Sequence, residues 1–408
     1  MKTLARIVRT SVVALCILCG GIWGMIYATA SNLCERYYVT EGAPLEFKDY
    51  VEAVPTGSLP SLSQGQKEAV TELKLFGLFP IKTVVVSTVE SRRVVPGGIP
   101  FGIKMLSDGV LVTSLGSVEN SGKLISPARD AGVRASDVIV SINGKEMRQN
   151  SDVIAAVSKS GGEALEVVLR KNGGAVKRVK IRPVLDSADG CFKIGVYIRD
   201  SSAGIGTVTY YDPETKVFGG LGHAVCDSET GEVISLLKGE VVGAEIDSVT
   251  KSRPSMPGQL NGHFATVYNT GRILKNDQTG VYGSLKNVKV TADPVEVALK
   301  QEVRTGRATI LSTLSGIEPE EFEIEIEKIA YNSDRAVKNM VIRVTDQRLL
   351  EKAGGIVQGM SGSPILQNGK LVGAVTHVFV NDCTRGYAIF AENMLESSKG
   401  IKESLKAS

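Results

Sequence analysis

Histidine is the scarcest chemistry-bearing residue of this chain: His223, His263 and His377 are the only three in 408 residues. If imidazole serves as a general base here, it is one of these. They share no HExxH or i,i+4 spacing, which argues against metal-assisted hydrolysis. Cysteine is almost as sparse. Cys16 and Cys19 lie in an apolar N-terminal run, Cys34 follows it, and Cys191, Cys226 and Cys383 are scattered without CxxC or CxxH spacing. That argues against a structural zinc and a disulfide-dense scaffold, and no cofactor or metal is expected. Charge of one sign is also missing. With 47 basic and 44 acidic residues, net +3, no global field recruits nucleic acid. Aromatic residues are few (10 Phe, 11 Tyr, 1 Trp) beside 44 glycines, and Val/Ile runs are many. This balance leans towards β-structure with tight turns.

The length allows two or three domains. Residues 1–30 open with Lys2, Arg6 and Arg9 and then carry no charge from Ser11 to Ala30. That pattern reads as an export signal retained as a membrane anchor, although Ala28-Thr29-Ala30 also suits a signal peptidase. Residues 31–94 read as a linker with a short packing element and one strand, Ile81–Val89. Residues 95–184 form a compact unit that resembles a PDZ domain, most clearly in ARDAGVRASDVIVSINGKEM (128–147) and in the Phe101-Gly102-Ile103 loop. The resemblance implies that Gly98, Phe101, Gly102 and Ile103 receive a peptide's terminal carboxylate. The ligand would add a strand beside residues 102–106. From 185 to 400, short Val/Ile strands broken by glycine suggest a double β-barrel or sandwich, and 401–408 is a tail.

Within that last region stands Gly359-Met360-Ser361-Gly362-Ser363-Pro364. A serine between glycines can sit on a tight turn, with its hydroxyl free to attack a carbonyl. The Gly359 and Ser361 N–H groups would then hold the developing oxyanion. A serine hydroxyl needs a base, and His223, after the Gly-Gly-Leu-Gly turn 219–222, is the candidate. The imidazole in turn needs an orienting acceptor. Asp346, at a strand end, is the first choice and Asp247 the runner-up, with Asp346 as a plain helix N-cap the competing reading. His263 reads as structural or loop-surface. Thr376 and His377, on the strand after the nucleophile, are candidates for the substrate cleft.

Together, RDSSAGIGTVTYYDP, GGLGHAV, PGQLNG, GIVQGMSGSPI and THVFVND with TRGYAIF resemble the SpoIVB-type serine peptidases of endospore-forming bacteria. Cys383 departs from a proline common in that family. The resemblance implies a mainly β chain: a membrane segment, a PDZ domain, then a trypsin-like double β-barrel peptidase. It also implies a self-cleaving serine endopeptidase exported from the forespore, working in the space between the forespore and mother-cell membranes. Its partners would be its own N-terminal segment, a PDZ peptide ligand and the regulatory subunit of a membrane-embedded protease. Cutting that subunit would release pro-sigma-K processing. Ser361 would be the nucleophile, His223 the base and Asp346 the acid. An envelope quality-control protease and a non-catalytic PDZ adaptor are the alternatives.

Overall fold

The computed structural model describes residues 2–41, 43–47, 50–55, 68–171, 174–286, 292–331 and 336–401. The Thr56–Gly65 patch and all but the first residue of the 401–408 tail lie outside them. The chain is mainly β, as expected, and its strands close into two barrels joined by a shared seam.

The first barrel is a ring of six strands. Pro100–Leu115 pairs with Leu236–Thr250, then in turn come Gln259–Asp277, Gly280–Leu285 and Val217–Gly220. Val196–Tyr211 closes it back onto Pro100–Leu115. The second ring runs Lys370–Val378, Pro364–Gln367, Gly306–Ser312, Glu320–Ile329, Met340–Val344 and Arg385–Phe390, and returns to its start. Closure leaves no unpaired edge within either ring. In Glu320–Ile329 the cause is plain in the sequence: Phe322, Ile324 and Ile326 point inward and are buried, with glutamates between them. Short strand Arg93–Pro96 stitches the rings together, pairing with Tyr210 and Tyr211 on one side and Val295 and Glu296 on the other.

The PDZ-like unit grows out of the first barrel rather than preceding it, which corrects the expected 95–184 boundary. Two 16-residue strands, Pro100–Leu115 and Val196–Tyr211, run through both bodies. Their barrel halves pair with Leu236–Gly243 and Phe218–Gly220, while Val110–Leu115 and Val196–Ile198 enter the PDZ core. That core also holds Ile139, Ile142, Val153, Val157, Val167, Leu169 and Ile181. Asn143 and Gly144 turn the expected hairpin with positive φ (49° and 78°), the backbone an Asn-Gly turn provides.

A second correction follows for Gly98, Phe101, Gly102 and Ile103. The last three lie in the barrel wall, where residues 101–106 pair on one side with residues 201–206 and on the other with residues 238–243. Gly98, just before the strand, donates its N–H to Val208 C=O at 2.8 Å. Phe101 is buried edge-on against Phe218, their ring centroids 5.6 Å apart. A ligand strand has no edge to join there. Among the described residues the PDZ sheet has unpaired edges elsewhere. Val176–Ile181 pairs only with Leu165–Arg170, and Val196–Arg199 pair only with residues 111–115 and lie near the helix Asn150–Lys159.

Residues 31–94 are also more than a linker. Arg36–Thr40, Phe79–Val89, Glu68–Leu75 and Val51–Pro55 form a four-stranded sheet in that order. Tyr37, Val39, Leu73, Val84 and Val86 give it a small core of its own. It follows helix Lys2–Asn32, whose Arg9–Asn32 window is long and apolar enough to cross a membrane. At 1.5 Å per residue, 24 residues reach about 36 Å, more than a bilayer's hydrocarbon core.

Candidate active site

The Gly359–Gly362 turn meets the first barrel at a glycine. A Cβ on Gly362 would stand 2.2 Å from the Thr207 carbonyl oxygen and 2.5 Å from the Leu221 nitrogen. Gly362 also has φ +96° and Gly359 φ +97°, a region other residues rarely adopt. The Gly359–Gly362 turn therefore exists because both ends can bend this way, and it carries Ser361 against the first barrel.

Two peptide planes of the turn are pinned by their carbonyls. Gln358 C=O accepts from Leu260 N–H at 2.8 Å, and Met360 C=O accepts from Ser363 N–H at 2.9 Å. The amides on the opposite sides of those planes belong to Gly359 and Ser361. Among the described residues neither N–H has an acceptor. A pair of fixed, unsatisfied donors beside a hydroxyl is what an oxyanion requires. The Ser361 hydroxyl itself donates to the Thr376 carbonyl at 2.8 Å.

His223 follows a kink in the neighbouring segment, and among the described residues no hydrogen bond joins its ring to the Ser361 hydroxyl. Leu221 (φ 66°) and Gly222 (φ 70°) both take left-handed backbone after strand Val217–Gly220. A Cβ on Gly222 would lie 3.0 Å from the Thr376 methyl, so this segment packs directly on the strand that receives the Ser361 hydroxyl. His223 Nδ1 is 2.8 Å from the Ala224 carbonyl oxygen. A carbonyl only accepts, so Nδ1 carries the proton and Nε2 keeps its lone pair. Burial pushes the imidazole pKa below its ordinary 6.5, partly offset by that bond to Ala224. The ring is neutral near pH 7.

His377 lies over His223, ring centroids 5.0 Å apart and tilted by 39°. Burial, then His223 and Lys338, lower its pKa to about 4, so this ring is neutral too. Thr376 is buried and presents its carbonyl to the Ser361 hydroxyl, while its Oγ1 donates to the Val337 carbonyl at 2.9 Å.

The structure does not bring Asp346 to His223, which corrects the expected triad. Asp346 is the N-cap of helix Gln347–Ala353 and accepts from Arg348 N–H at 2.9 Å. Its oxygens also take the Arg348 guanidinium, at 3.1 and 2.8 Å, and the Glu323 N–H at 3.2 Å. The guanidinium chiefly holds the carboxyl down at about 2. Every direction this carboxylate can accept from is in use. Asp247, the runner-up, pairs with His263 Nδ1 at 3.0 Å on the exposed surface. Among the described residues no three His, Cys, Asp or Glu side chains gather as a metal site would need.

Sequence reasoning passed over Thr207 and Thr209. Both are buried, and both hydroxyls donate to the nucleophile turn: Thr207 Oγ1 to Gly359 C=O at 2.8 Å and Thr209 Oγ1 to Gly362 C=O at 2.7 Å. The signal was there. A Thr-x-Thr pair on the inward face of a buried strand needs polar partners from somewhere.

A profile of the SpoIVB peptidase S55 family matches residues 190–395, and one of the PDZ domain matches residues 124–171. A protein of Clostridium acetobutylicum described as a zinc metalloprotease is 28% identical over 96 residues, 24% of this chain. The chain spans only 27% of that relative's length. Among solved structures, the PDZ domain of the SdrC-like protein Lmo2051 of Listeria monocytogenes is similar at 25% identity, covering 22% of this chain and 87% of that one, with TM-score 0.18. The Rv3671c protease of M. tuberculosis, in an inactive form, is similar at 13% identity, covering 48% of this chain and 84% of that one, with TM-score 0.29.

Proposed function

The chain belongs to the SpoIVB peptidase S55 family, and from that premise we propose that it is a serine endopeptidase with Ser361 as nucleophile and His223 as base. The observation that carries this is the turn. Among the described residues its Gly359 and Ser361 amides are fixed yet unengaged beside a hydroxyl. The segment carrying a neutral imidazole, whose Nε2 has no partner among those residues, packs on the strand that receives that hydroxyl. In attack, the Ser361 proton passes to Nε2, Oγ bonds to the scissile carbonyl carbon, and the two amides hold the oxyanion. The imidazolium then returns the proton to the leaving amine.

Among the described residues no carboxylate bonds the base; the Ala224 carbonyl orients it by fixing the tautomer. The resting hydroxyl must first leave Thr376 C=O. An extended substrate laid along Thr376–His377 offers its own N–H to that carbonyl and so frees the hydroxyl. His377 lies over the base.

The PDZ unit takes an extended peptide at the free edge of Val196–Arg199, beside the helix Asn150–Lys159. The finer role rests on the family resemblance. The enzyme is exported from the forespore on its N-terminal helix, cleaves its own N-terminal segment and cuts the regulatory subunit of a membrane-embedded protease to trigger pro-sigma-K processing. Expression of the natural chain yields a shortened, probe-labelled product, and Ser361→Ala yields a full-length, unlabelled one. N-terminal sequencing locates the cut. Identical processing of both chains sinks self-cleavage, and broad digestion of unfolded proteins points to the quality-control alternative.

A further inference from the structure

Strand Val196–Tyr211 touches the nucleophile turn more often than any role assigned so far explains. From Thr207, Oγ1 donates to Gly359 C=O at 2.8 Å and the N–H donates to Ser361 C=O at 3.2 Å. The Thr207 C=O accepts the Leu221 N–H at 3.2 Å. Two residues on, Thr209 Oγ1 donates to Gly362 C=O at 2.7 Å. One residue of the first barrel therefore ties the nucleophile turn to the left-handed Leu221 that precedes the Gly222-His223 kink.

These ties matter because the turn is soft. With Gly359 and Gly362 both at positive φ, the peptide planes between them have alternatives that no side chain of their own forbids. A flip of one plane would turn a carbonyl into the place an oxyanion must occupy. Leu260 and Ser363 hold the two planes that carry the donors. Thr207 and Thr209 hold the planes between and after them, through the carbonyls of Gly359, Ser361 and Gly362. The last of these fixes the Ser363 N–H that pins Met360.

We propose that Thr207, seconded by Thr209, is a positioning residue that holds the Gly359–Gly362 turn in its oxyanion-binding form and sets it in register with the His223 segment. The claim rests on the reading of Ser361 as nucleophile. It has a structural corollary. The strand that carries Thr207 also forms an unpaired PDZ edge at Val196–Arg199, so the peptide-binding body and the nucleophile turn hang on one continuous strand.

The test uses the full chain in detergent and a fluorophosphonate probe, whose reaction builds charge on an oxygen in the oxyanion site. Thr207→Val removes the hydroxyl at nearly constant shape and Thr207→Ser keeps it. Loss of a group that orders an oxyanion site is expected to slow labelling about 10–100-fold. The valine variant should slow by that amount, the serine variant should stay within about threefold of the natural chain, and the pH midpoint of labelling, set by His223, should not move. Labelling is normalised to folded protein by a melting curve. Wild-type rates in Thr207→Val overturn the proposal, as does equal slowing of both variants, which would assign the effect to packing. If Thr207→Val does not fold, Thr209→Val serves with the same criteria, and a wild-type rate there overturns it. Failure of the underlying reading looks different: Ser361→Ala would still label.

Discussion

Two imidazoles of this chain sit in opposite surroundings, and the contrast favours one of them for the base we propose. His263 has the carboxylate partner that a catalytic histidine is expected to have, Asp247 at 3.0 Å, yet the pair is exposed and its pKa is raised by that bond. Among the described residues His223 has no carboxylate partner. It is held by a backbone carbonyl, packed against a second neutral ring, and its pKa is lowered by burial. A raised pKa favours the protonated form of His263, while a lowered one leaves His223 ready to take a proton. Environment outranks the partner that a triad template looks for.

The sharpest way to break that contrast is to exchange the roles. His223→Gln should lower labelling and self-cleavage by about 10⁴-fold or more, the scale of losing a base that acts with its nucleophile. His263→Gln should leave both unchanged. A collapse of activity in the second variant would reverse the assignment.

The two regions also predict opposite pH behaviour. Activity needs neutral His223, so it falls roughly tenfold per unit once pH drops through its pKa, and that midpoint should lie below the ordinary 6.5. The stability term has the same direction. A depressed imidazole contributes stability above 6.5 that is lost as pH falls, because the unfolded chain takes the proton first. The raised His263 works in the other sense, its contribution present below 6.5 and lost as pH rises through its folded value. A rate profile with its midpoint above 6.5 would point to the His263 pair.

Much of this was legible in the chain because its signals are local. Alternation as in Glu320–Ile329 announces strands, and Gly359-Met360-Ser361-Gly362 announces a turn that only glycine allows. What misled were patterns with two local meanings. Gly98 to Ile103 fits a PDZ loop and equally the start of a barrel strand; the partners that decide it, Ala203–Gly206 and Leu236–Gly243, lie more than 90 residues away. Residues 31–94 look like a linker because their core depends on pairings such as Tyr37 with Val86. Asp346 at a strand end suits a triad and a helix cap alike. The Arg348 two positions on was the available hint, since it bonds the cap directly.

That cap supplies the next test of whether a carboxylate orients the base. Asp346→Asn keeps a side chain that can cap a helix but loses the charge facing Arg348. As a triad acid, its loss would cost about 10⁴-fold in rate. As a cap, Asp346→Ala should cost about 1–2 kcal/mol of stability, seen as a lower melting midpoint, and Asp346→Asn less. Labelling of the folded fraction should stay within a fewfold in both. The depressed carboxyl adds a sign: its stabilisation, complete above the ordinary carboxylate range, is lost as pH falls towards about 2. A melting curve that ignores the substitution while labelling collapses would restore Asp346 to the catalytic group.

The smallest expected effect belongs to Asp247→Asn, and its smallness carries the comparison. Both members of the pair are about half exposed, at 57% and 53%, where water and salt screen a charge–charge bond and hold it near the limit of detection. The substitution should therefore leave labelling and melting midpoint unchanged and move only the His263 proton, returning its pKa towards 6.5, as followed by NMR titration of the imidazole. A silent carboxylate at His263, beside a base that works from a carbonyl, means that catalytic competence here is built by burial and backbone geometry at the seam of the barrels. A large loss of activity in this one variant would undo that conclusion more completely than any other result.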